Sequence, residues 1–450
     1  MKTQGPKIPI VLTLLCSSLV LSGCLDAGSE DEGESGETGE TGDPDPLPEW
    51  MEERSSLPHD EDPQLSEADA DVLIGGQYAL AMDLYHQLRA EPASLEGFSV
   101  SPISIQTAFG MLWPGIYEPS YAQVGSALHF DLGDPGTHQA LNWQDAQLRA
   151  LNLEGVDTED EKADPVIVRP ANGVWSAFGV EDLPQPFLDS LSVNYDAGLR
   201  LADFAADPEA ERLKINAWVA AQTNDLIPEL FKPPHITAEV TMVLVNALYV
   251  KAPWSAPFEE GLTQMQPFTR LDGGTASVPM MWNPEASVRW SVEEDYQAVG
   301  IPLRGGGLEL AAVMPTGDFA AFENDLDGAA LREAIESMES GTIELHVPRF
   351  RLKTDTSLKT AFQALGLVDV WAPNFGATFG GAILEVVHNT VLAVDETGVE
   401  AAAATGIIVG GDGAPSPEVT LTFDRPFVVV LHDTRSGTPL FVGRVLDPGA

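Results

Sequence analysis

The chain is poor in basic residues. Its 450 residues include 23 Lys and Arg against 69 Asp and Glu, which gives a formal net charge of -46. Nucleic-acid binding requires clustered basic side chains, so this composition argues against a nucleic-acid partner. It argues equally against a polyanionic cofactor such as heparin and against a basic face on an anionic membrane. We expect no cofactor.

Catalytic and metal-binding motifs are also missing. The sequence has no HExxH, no P-loop, no GxGxxG after a strand and no GxSxG elbow, and none of its eight histidines is spaced as a metal ligand from another His or a Cys. A Ser-His-Asp triad assembled only by folding stays open, although no Ser lies in a nucleophile context. We predict that the chain is not an enzyme. A secreted lipoprotein hydrolase is an alternative from another class.

The N-terminus has the pattern of a bacterial lipoprotein leader. Lys2 and Lys7 precede an apolar stretch, residues 8–20, which is too short to span a bilayer comfortably. Leu-Ser-Gly-Cys24 follows and resembles a lipobox, in which Cys24 is acylated and the chain is cut before it. This predicts a signal peptide over residues 1–23 and a secreted, membrane-anchored lipoprotein, periplasmic or on the cell surface. An ordinary signal peptide with an incidental cysteine is the other interpretation.

Cysteine is scarce as well, because the chain has only Cys16 and Cys24. The first would leave with the signal peptide and the second would carry the lipid. The mature folded part would then contain no disulfide, no cysteine nucleophile and no thiolate metal site.

Residues 24–70 differ in composition from the rest of the chain. This segment contains the run GESGETGETGDPDP and many acidic residues, with Arg54 as its single basic residue. Such a segment buries too little apolar surface to offset its ordering entropy, so we predict an acidic, disordered tether. A solvated tail without a role is the alternative.

Residues 71–450 are predicted to form one domain of the α+β class, because helical and strand patterns mix without regular alternation. Helical spacing of apolar residues indicates helices over 72–89, from Ser101-Pro102 onward, and over 213–230. Apolar or alternating runs indicate strands over 241–250, 342–352, 382–394, 421–430 and 439–445.

A connection of about twenty residues, 395–417, lies between two strongly apolar strand patterns. Loops this long inside a compact domain are uncommon and are usually functional or disordered. From Val399 the alternate residues are small or apolar, which suits a strand with one face in a core, and no Pro interrupts them before Pro415. The segment therefore fits either a loop or a central strand. A loop with a short Ala helix fits as well.

Several ordered motifs resemble those of the serpin family. The run ETGVEAAAATG resembles the hinge of the reactive-centre loop in inhibitory serpins. Other matching segments are FSVSPIS at 98–104 (one residue longer than the family's FSPxSI), ANGVW at 171–175, INAWV at 215–219, NALYVK at 246–251 with Trp254, VPRF at 347–350, LGL at 365–367, FDRPF at 423–427 and FVGRV at 441–445.

The resemblance implies an α+β fold of three β-sheets and about nine helices, with an exposed reactive-centre loop that enters the main sheet after a protease cuts it. It implies a monomeric inhibitor of a serine protease, with a cysteine protease also open as the target. A non-inhibitory serpin-fold chaperone or binding protein is the alternative.

The resemblance also assigns residues to roles. The hinge would comprise Glu396, Gly398, Val399, Glu400, Ala401, Ala402, Ala403, Ala404 and Thr405. Ser101, Ser104, Asn246 and His388 would form the shutter, the polar cluster beneath the opening strands, and Trp254 and Arg349 would lie at the breach, where insertion begins. An Arg349–Glu396 ion pair would contribute roughly 0–1 kcal/mol if exposed.

The scissile bond follows from family spacing. Counting from the hinge places it at Asp412-Gly413, which would suit an Asp-specific protease. Cleavage after Ile408 or Val409 would suit elastase-like or subtilisin-like enzymes, but it would leave a shorter insert.

Overall fold

The computed structural model describes residues 9–17, 49–90, 97–157, 162–178, 183–225, 227–372, 382–399 and 417–449. These residues contain nine α-helices and nineteen strands, which confirms the α+β class. The helices are α1 (Glu67–Leu88), α2 (Pro102–Leu112), α3 (Ser120–Ala127), α4 (Gly133–Arg149), α5 (Gln185–Tyr195), α6 (Pro208–Gln222), α7 (Phe319–Asp325), α8 (Gly328–Glu336) and α9 (Lys359–Ala364).

The first ten strands lie mainly before the middle of the chain. They are β1 (Pro9–Ser17), β2 (Met51–Glu53), β3 (Gly97–Val100), β4 (Val156–Asp157), β5 (Lys162–Ala163), β6 (Ile167–Ala177), β7 (Leu199–Ala202), β8 (Met242–Pro253), β9 (Gln264–Thr269) and β10 (Thr275–Val292). The remaining nine are β11 (Tyr296–Pro302), β12 (Leu308–Pro315), β13 (Glu339–Pro348), β14 (Phe350–Ser357), β15 (Ala382–Val394), β16 (Gly398–Val399), β17 (Thr420–Thr422), β18 (Phe427–Asp433) and β19 (Pro439–Val445).

Two large sheets and a small hairpin organise these strands. Sheet A has eight strands: β14, β15, then β1 and β16 in one shared position, then β8, β6, β7 and β2. Sheet B has nine, in the order β17, β13, β10, β11, β12, β18, β19 and β3, with β9 paired to β10. Strands β4 and β5 form the hairpin. One apolar core lies between the helices and the strands of both large sheets, and a second contains side chains from both large sheets. A third joins α6 to sheet A around Trp175 and Trp218.

The helix predictions are confirmed in place and corrected at their ends. Helix α1 begins at Glu67 because the Ser66 hydroxyl accepts from the Asp69 N–H and caps it. Helix α6 begins at Pro208 behind the cap residue Asp207 and ends at Gln222, short of the predicted residue 230. The chain folds back there, and the Asn216 side chain accepts from the N–H groups of residues 230 and 231.

Two predicted strands prove to be pairs of strands. The run 342–352 divides at Arg349, where the chain passes from β13 in sheet B to β14 in sheet A. The run 421–430 likewise divides into β17 and β18. In the first run the buried positions change parity at the break, from 343, 345 and 347 to 350 and 352. In the second run Asp424-Arg425-Pro426 interrupts the apolar positions.

The segment predicted to be a disordered tether is partly folded. Its last part, residues 49–66, contacts the domain, and β2 pairs with β7 at the edge of sheet A. The Trp50 ring lies 5.6 Å from that of Trp175, and Trp50 Nε1 donates to Glu211 Oε2 at 2.9 Å. The prediction of disorder rested on the acidic composition of the whole segment, which does not show that one aromatic residue, Trp50, packs against the domain. In the structure the ordered domain therefore begins before residue 71.

The apolar N-terminal segment, predicted as part of a signal peptide, forms β1 in sheet A. Among the described residues, no helix is long and apolar enough to cross a membrane.

Candidate functional site

The middle of sheet A contains one strand position, between β15 and β8, that two separate segments of the described residues share. We call this position the acceptor gap. Strand β1 fills one part of it, parallel to both neighbours, from Met242 to Tyr249 along β8. Strand β16 fills the other end, antiparallel to both neighbours. The gap therefore accepts extended backbone in either direction.

Strand β16 is the start of the long loop identified in the sequence. Val399 pairs with Val394 on β15 and with Ala252 on β8, and its side chain is fully buried. Gly398 beside it has no room for a side chain, because a Cβ there would lie 2.4 Å from the Ala252 carbonyl oxygen. The chain thus leaves β15, turns, and enters sheet A with two residues of the loop, Gly398 and Val399.

Trp254 holds this turn at the end of β8. Its Nε1 donates to the carbonyl of Asp395 at 2.8 Å, and its backbone N–H donates to the carbonyl of Thr397 at 2.9 Å. The Asp395 carboxylate in turn accepts from the N–H and hydroxyl of Thr397 at 2.8 and 2.6 Å. Asp395 was not among the predicted site residues, although the run Asp-Glu-Thr-Gly at 395–398 is a recognisable turn signal.

An ion pair closes the same end of the gap. Arg349 Nη2 donates to both carboxylate oxygens of Glu396 at 2.7 Å, and the Thr263 hydroxyl donates to one of them at 2.6 Å. The Glu396 side chain is 3% exposed and that of Arg349 is 49% exposed. The sequence expectation of roughly 0–1 kcal/mol assumed an exposed pair, and that condition is not met on the carboxylate side. Thr263 is a second partner of Glu396 that no sequence motif indicated.

Opposing effects set the pKa of Glu396. Burial raises it, but the hydrogen bonds from Arg349 and Thr263 outweigh burial and leave the pKa below its ordinary value. The carboxylate is therefore charged at neutral pH, and Arg349 neutralises it.

A buried polar cluster lies deeper, between α2 and sheet A. The Ser101 N–H donates to His388 Nε2 at 3.2 Å, and the Ser101 hydroxyl donates to that of Ser104 at 3.1 Å. All three side chains are buried. Because His388 Nε2 accepts this hydrogen bond, that ring nitrogen carries no proton. The structure thus brings together three of the four predicted shutter residues.

The fourth predicted shutter residue, Asn246, lines a small cavity together with Ser104 but is separated from His388. Its amide donates to the Asn172 side chain on β6 at 2.8 Å. Leu14 of β1 is the strand neighbour of both His388 and Asn246, so one full strand separates these two residues. Adjacent strands lie about 4.8 Å apart, so this separation is about twice that and exceeds hydrogen-bond reach. The sequence missed a further buried contact, the Ser99–Thr390 hydroxyl pair at 2.7 Å.

Comparison with known proteins accounts for this arrangement. A family model described as "Serpin (serine protease inhibitor)" matches residues 76–448. The chain belongs to the serpin family. Mouse antithrombin-III is 29% identical over 380 residues, covering 82% of this chain and 80% of its own length. Human serpin B4 is 30% identical over 381 residues, covering 81% and 97%.

Solved structures agree on the fold of this serpin. The native state of the thermophilic serpin tengpin superposes with a TM-score of 0.72 at 22% identity, covering 88% of this chain and 97% of its own. Many members of the serpin family are protease inhibitors rather than enzymes.

Beyond the loop, the serpin chain returns to sheet B through β17. The Glu344 carboxylate accepts from the Thr420 hydroxyl at 2.9 Å and from Trp282 Nε1 at 3.1 Å, and it lies 3.2 Å from His346 Nε2. The hydrogen bonds from Thr420 and then His346 lower the pKa of Glu344. This carboxylate therefore fixes the far end of the loop to β13.

Replacing Glu344 by Ala is expected to loosen β17. The amide of Phe423, which donates to the His346 carbonyl at 3.0 Å, should exchange its hydrogen about tenfold faster, since loss of about 1.4 kcal/mol of local stability has that effect. Mass-spectrometric hydrogen exchange measures this. Glu339→Ala, at an exposed position of the same strand, should leave the rate unchanged. Equal rates in the wild-type chain and Glu344→Ala would show that the carboxylate does not hold β17.

Replacing Ser101 by Ala is expected to lower the stability of this serpin by about 1–2 kcal/mol, because Ser101 is a buried N-cap and also bonds Ser104. The urea midpoint of the native state measures it. Ser66→Ala removes an N-cap that is exposed, and should cost about 1 kcal/mol or less. Equal shifts in both variants would contradict a special role for the buried cluster.

Some predicted site residues lie outside the described residues. They are Glu400, Ala401, Ala402, Ala403, Ala404, Thr405, Asp412, Gly413 and Cys24. Within the described ranges, no group of three or more His, Cys, Asp or Glu could hold a metal ion.

Proposed function

We propose that this serpin is a secreted, lipid-anchored inhibitor that irreversibly traps a target protease, by suicide cleavage of its reactive-centre loop and insertion of that loop into sheet A. The observation that carries the proposal is the entry of Gly398 and Val399 into the acceptor gap. Small or apolar residues follow at alternate positions down to Val409. A loop with its first two residues in register needs no new nucleation to extend as a strand.

Register gives the extent of insertion. Val399 pairs with Ala252 in an antiparallel arrangement, so the numbers of any loop residue and the β8 residue opposite it add up to 651. If the loop inserted in this register, Val409 would lie opposite Met242, the first residue of β8 (651 − 242 = 409). A cut after Asp412 or Val409 would leave enough chain to span the whole of β8, whereas a cut after Ile408 would leave it one residue short. We retain Asp412-Gly413 as the scissile bond on family spacing, with cleavage after Ile408 or Val409 as the alternatives. The target is a serine protease, or a cysteine protease of matching specificity, and the inhibitor acts as a monomer.

The test uses the chain from Leu25 onward, which keeps the contacts of residues 49–66. It is incubated with elastase-like, subtilisin-like and Asp-specific serine and cysteine proteases and analysed on a denaturing gel. A band at the summed mass shows covalent trapping, and mass spectrometry of the released peptide locates the cut. Loop cleavage by these proteases without such a band, and without a gain in heat stability of the cleaved chain, would reject inhibition and favour the non-inhibitory alternative.

The lipid anchor is tested separately. The exported full-length chain should be recovered in the membrane fraction with a mature N-terminus at an acylated Cys24. Cys24→Ser should abolish acylation and release the protein to the soluble fraction. An unmodified Cys24 in the exported wild-type chain would contradict the anchor without affecting the inhibition test.

A further inference from the structure

Strand β1 and the reactive-centre loop require the same backbone positions. Residues 10–17 pair with Met242–Tyr249 of β8, one residue to one. By the antiparallel register of β16, loop residues 402–409 would oppose these same eight residues (651 − 249 = 402 and 651 − 242 = 409). On the other side, β1 pairs with residues 382–390 of β15, which the inserted loop would also contact. The two segments therefore exclude each other from the gap.

The two occupants meet end to end. Ser17, the last residue of β1, lies opposite Tyr249, and Val399, the last described residue of the hinge, lies opposite Ala252. Two positions of β8 separate them. The hinge can therefore advance by at most two residues along the gap until β1 leaves it.

The N-terminal segment has the composition that this site needs. No charged residue occurs from Ile8 to Leu25 in a chain with 69 acidic residues, and the loop run 401–411 is uncharged in the same way. An uncharged run of apolar residues suits a strand with neighbours on both edges. Pro9, which has no N–H to donate, stands at the first position of the strand, where sheets tolerate it.

We propose that the acceptor gap is a binding site for residues 9–17 of this same chain, and that the chain cannot insert its reactive-centre loop while it retains them. Removal of the N-terminal segment vacates the gap and makes the inhibitor competent. This inference rests on the proposed function, because it is loop insertion that the segment blocks. It gives the predicted leader cleavage a second consequence, since the chain that keeps its leader could be cleaved by a protease but could not inhibit it.

The same contacts explain the separated shutter. Because Leu14 lies between His388 and Asn246, the occupied gap keeps β15 and β8 apart at the level of the buried polar cluster. When β1 leaves, these two strands can approach or accept the loop.

The test measures entry into the gap independently of any protease. A synthetic acetylated peptide of sequence AAAATGIIV, residues 401–409, is incubated with the full chain produced without export, whose retained N-terminus is verified by mass spectrometry. It is also incubated with the chain from Leu25 onward. We expect the shorter chain to take up the peptide at least tenfold faster, as read by native mass spectrometry and by a rise in its thermal transition.

Point variants of the full chain provide matched controls. Leu14→Pro removes a backbone donor in the middle of β1 and should restore peptide uptake to the rate of the shorter chain. Val20→Pro makes the same change in the same apolar segment beyond β1, and should remain as slow as the wild-type full chain. If Leu14→Pro does not fold, the comparison of the full and shorter chains decides alone.

The outcomes separate this proposal from the proposed function. Equal uptake by the full and shorter chains, or uptake by Val20→Pro as fast as by Leu14→Pro, would overturn it. If neither the full chain nor the shorter chain traps a protease, the proposed function fails. The peptide assay still decides whether residues 9–17 occupy the acceptor gap. If the shorter chain traps a protease and the full chain is cleaved without trapping it, both proposals gain support.

Discussion

Val399→Asp is expected to convert this serpin from the proposed protease inhibitor into an ordinary protease substrate. Val399 is fully buried between β15 and β8 at the start of the acceptor gap. It belongs to the same apolar core as Trp254, Phe258 and Phe350. A carboxylate at this position would have to lose its hydration without a partner, at a cost on the order of 3 kcal/mol or more.

Because Val399 is already buried in the uncleaved chain, the carboxylate should expel the hinge from the gap, and the loop would have to bury it again on insertion. In the proposed mechanism, the cleaved loop must insert before the acyl-enzyme hydrolyses, so this cost acts on the step that decides between trapping and release. Each 1.36 kcal/mol added to a barrier slows a step tenfold. The ratio of trapped to cleaved inhibitor should therefore fall at least tenfold, while the rate of loop cleavage stays nearly unchanged because the scissile bond is remote in sequence.

Gel densitometry against a fixed protease concentration measures both products. The matched control is Val292→Asp, at a strand position where the valine side chain is 54% exposed. It should trap protease like the wild-type chain. Undiminished trapping by Val399→Asp would show that entry of the hinge into the gap is not part of inhibition.

Arg349→Ala is expected to destabilise the native state by about 2 kcal/mol. The change leaves the Glu396 carboxylate buried with Thr263 as its remaining side-chain donor. Removing one partner of a buried ion pair is strongly destabilising because the other charge stays buried without it. The Arg349 guanidinium is half exposed, so we expect a loss of stability smaller than that for a fully buried pair. Arg425→Ala removes an exposed pair with Asp424 and should cost less than about 1 kcal/mol.

The pH dependence of stability identifies the carboxylate. The pKa of Glu396 is lowered in the folded chain, so its contribution is present above the pKa of an unfolded Glu and disappears as the pH falls through the folded value. Without Arg349 the pKa should rise, and the loss should begin at higher pH. Glu396→Gln should remove this part of the profile. Superimposable urea midpoints of the wild-type chain and Arg349→Ala across the acid range would refute the assigned role.

Local sequence was sufficient for several elements of this fold. The apolar run around Val245 gave β8 nearly to its ends, and Ser101-Pro102 marked the start of α2. These predictions depend on periodicity and capping, which act over a few residues. The deficit of basic residues likewise argued against nucleic acid and polyanions as partners, because net charge can be counted from the sequence alone.

Other features depended on which strand edges the folded domain leaves open. The break at Arg349, the anchoring of Trp50 against Trp175, and the separation of Asn246 from His388 all arise from pairing between distant segments. Periodicity shows that a segment can be a strand, but it does not show which neighbours the strand will have. From the sequence, the loop from Val399 onward fitted a strand, whereas residues 1–23 were predicted to be a leader. Only the tertiary structure showed that residues 9–17 and the hinge residues Gly398 and Val399 share one strand position, because that position is created by β15 and β8, which are more than a hundred residues apart in the chain.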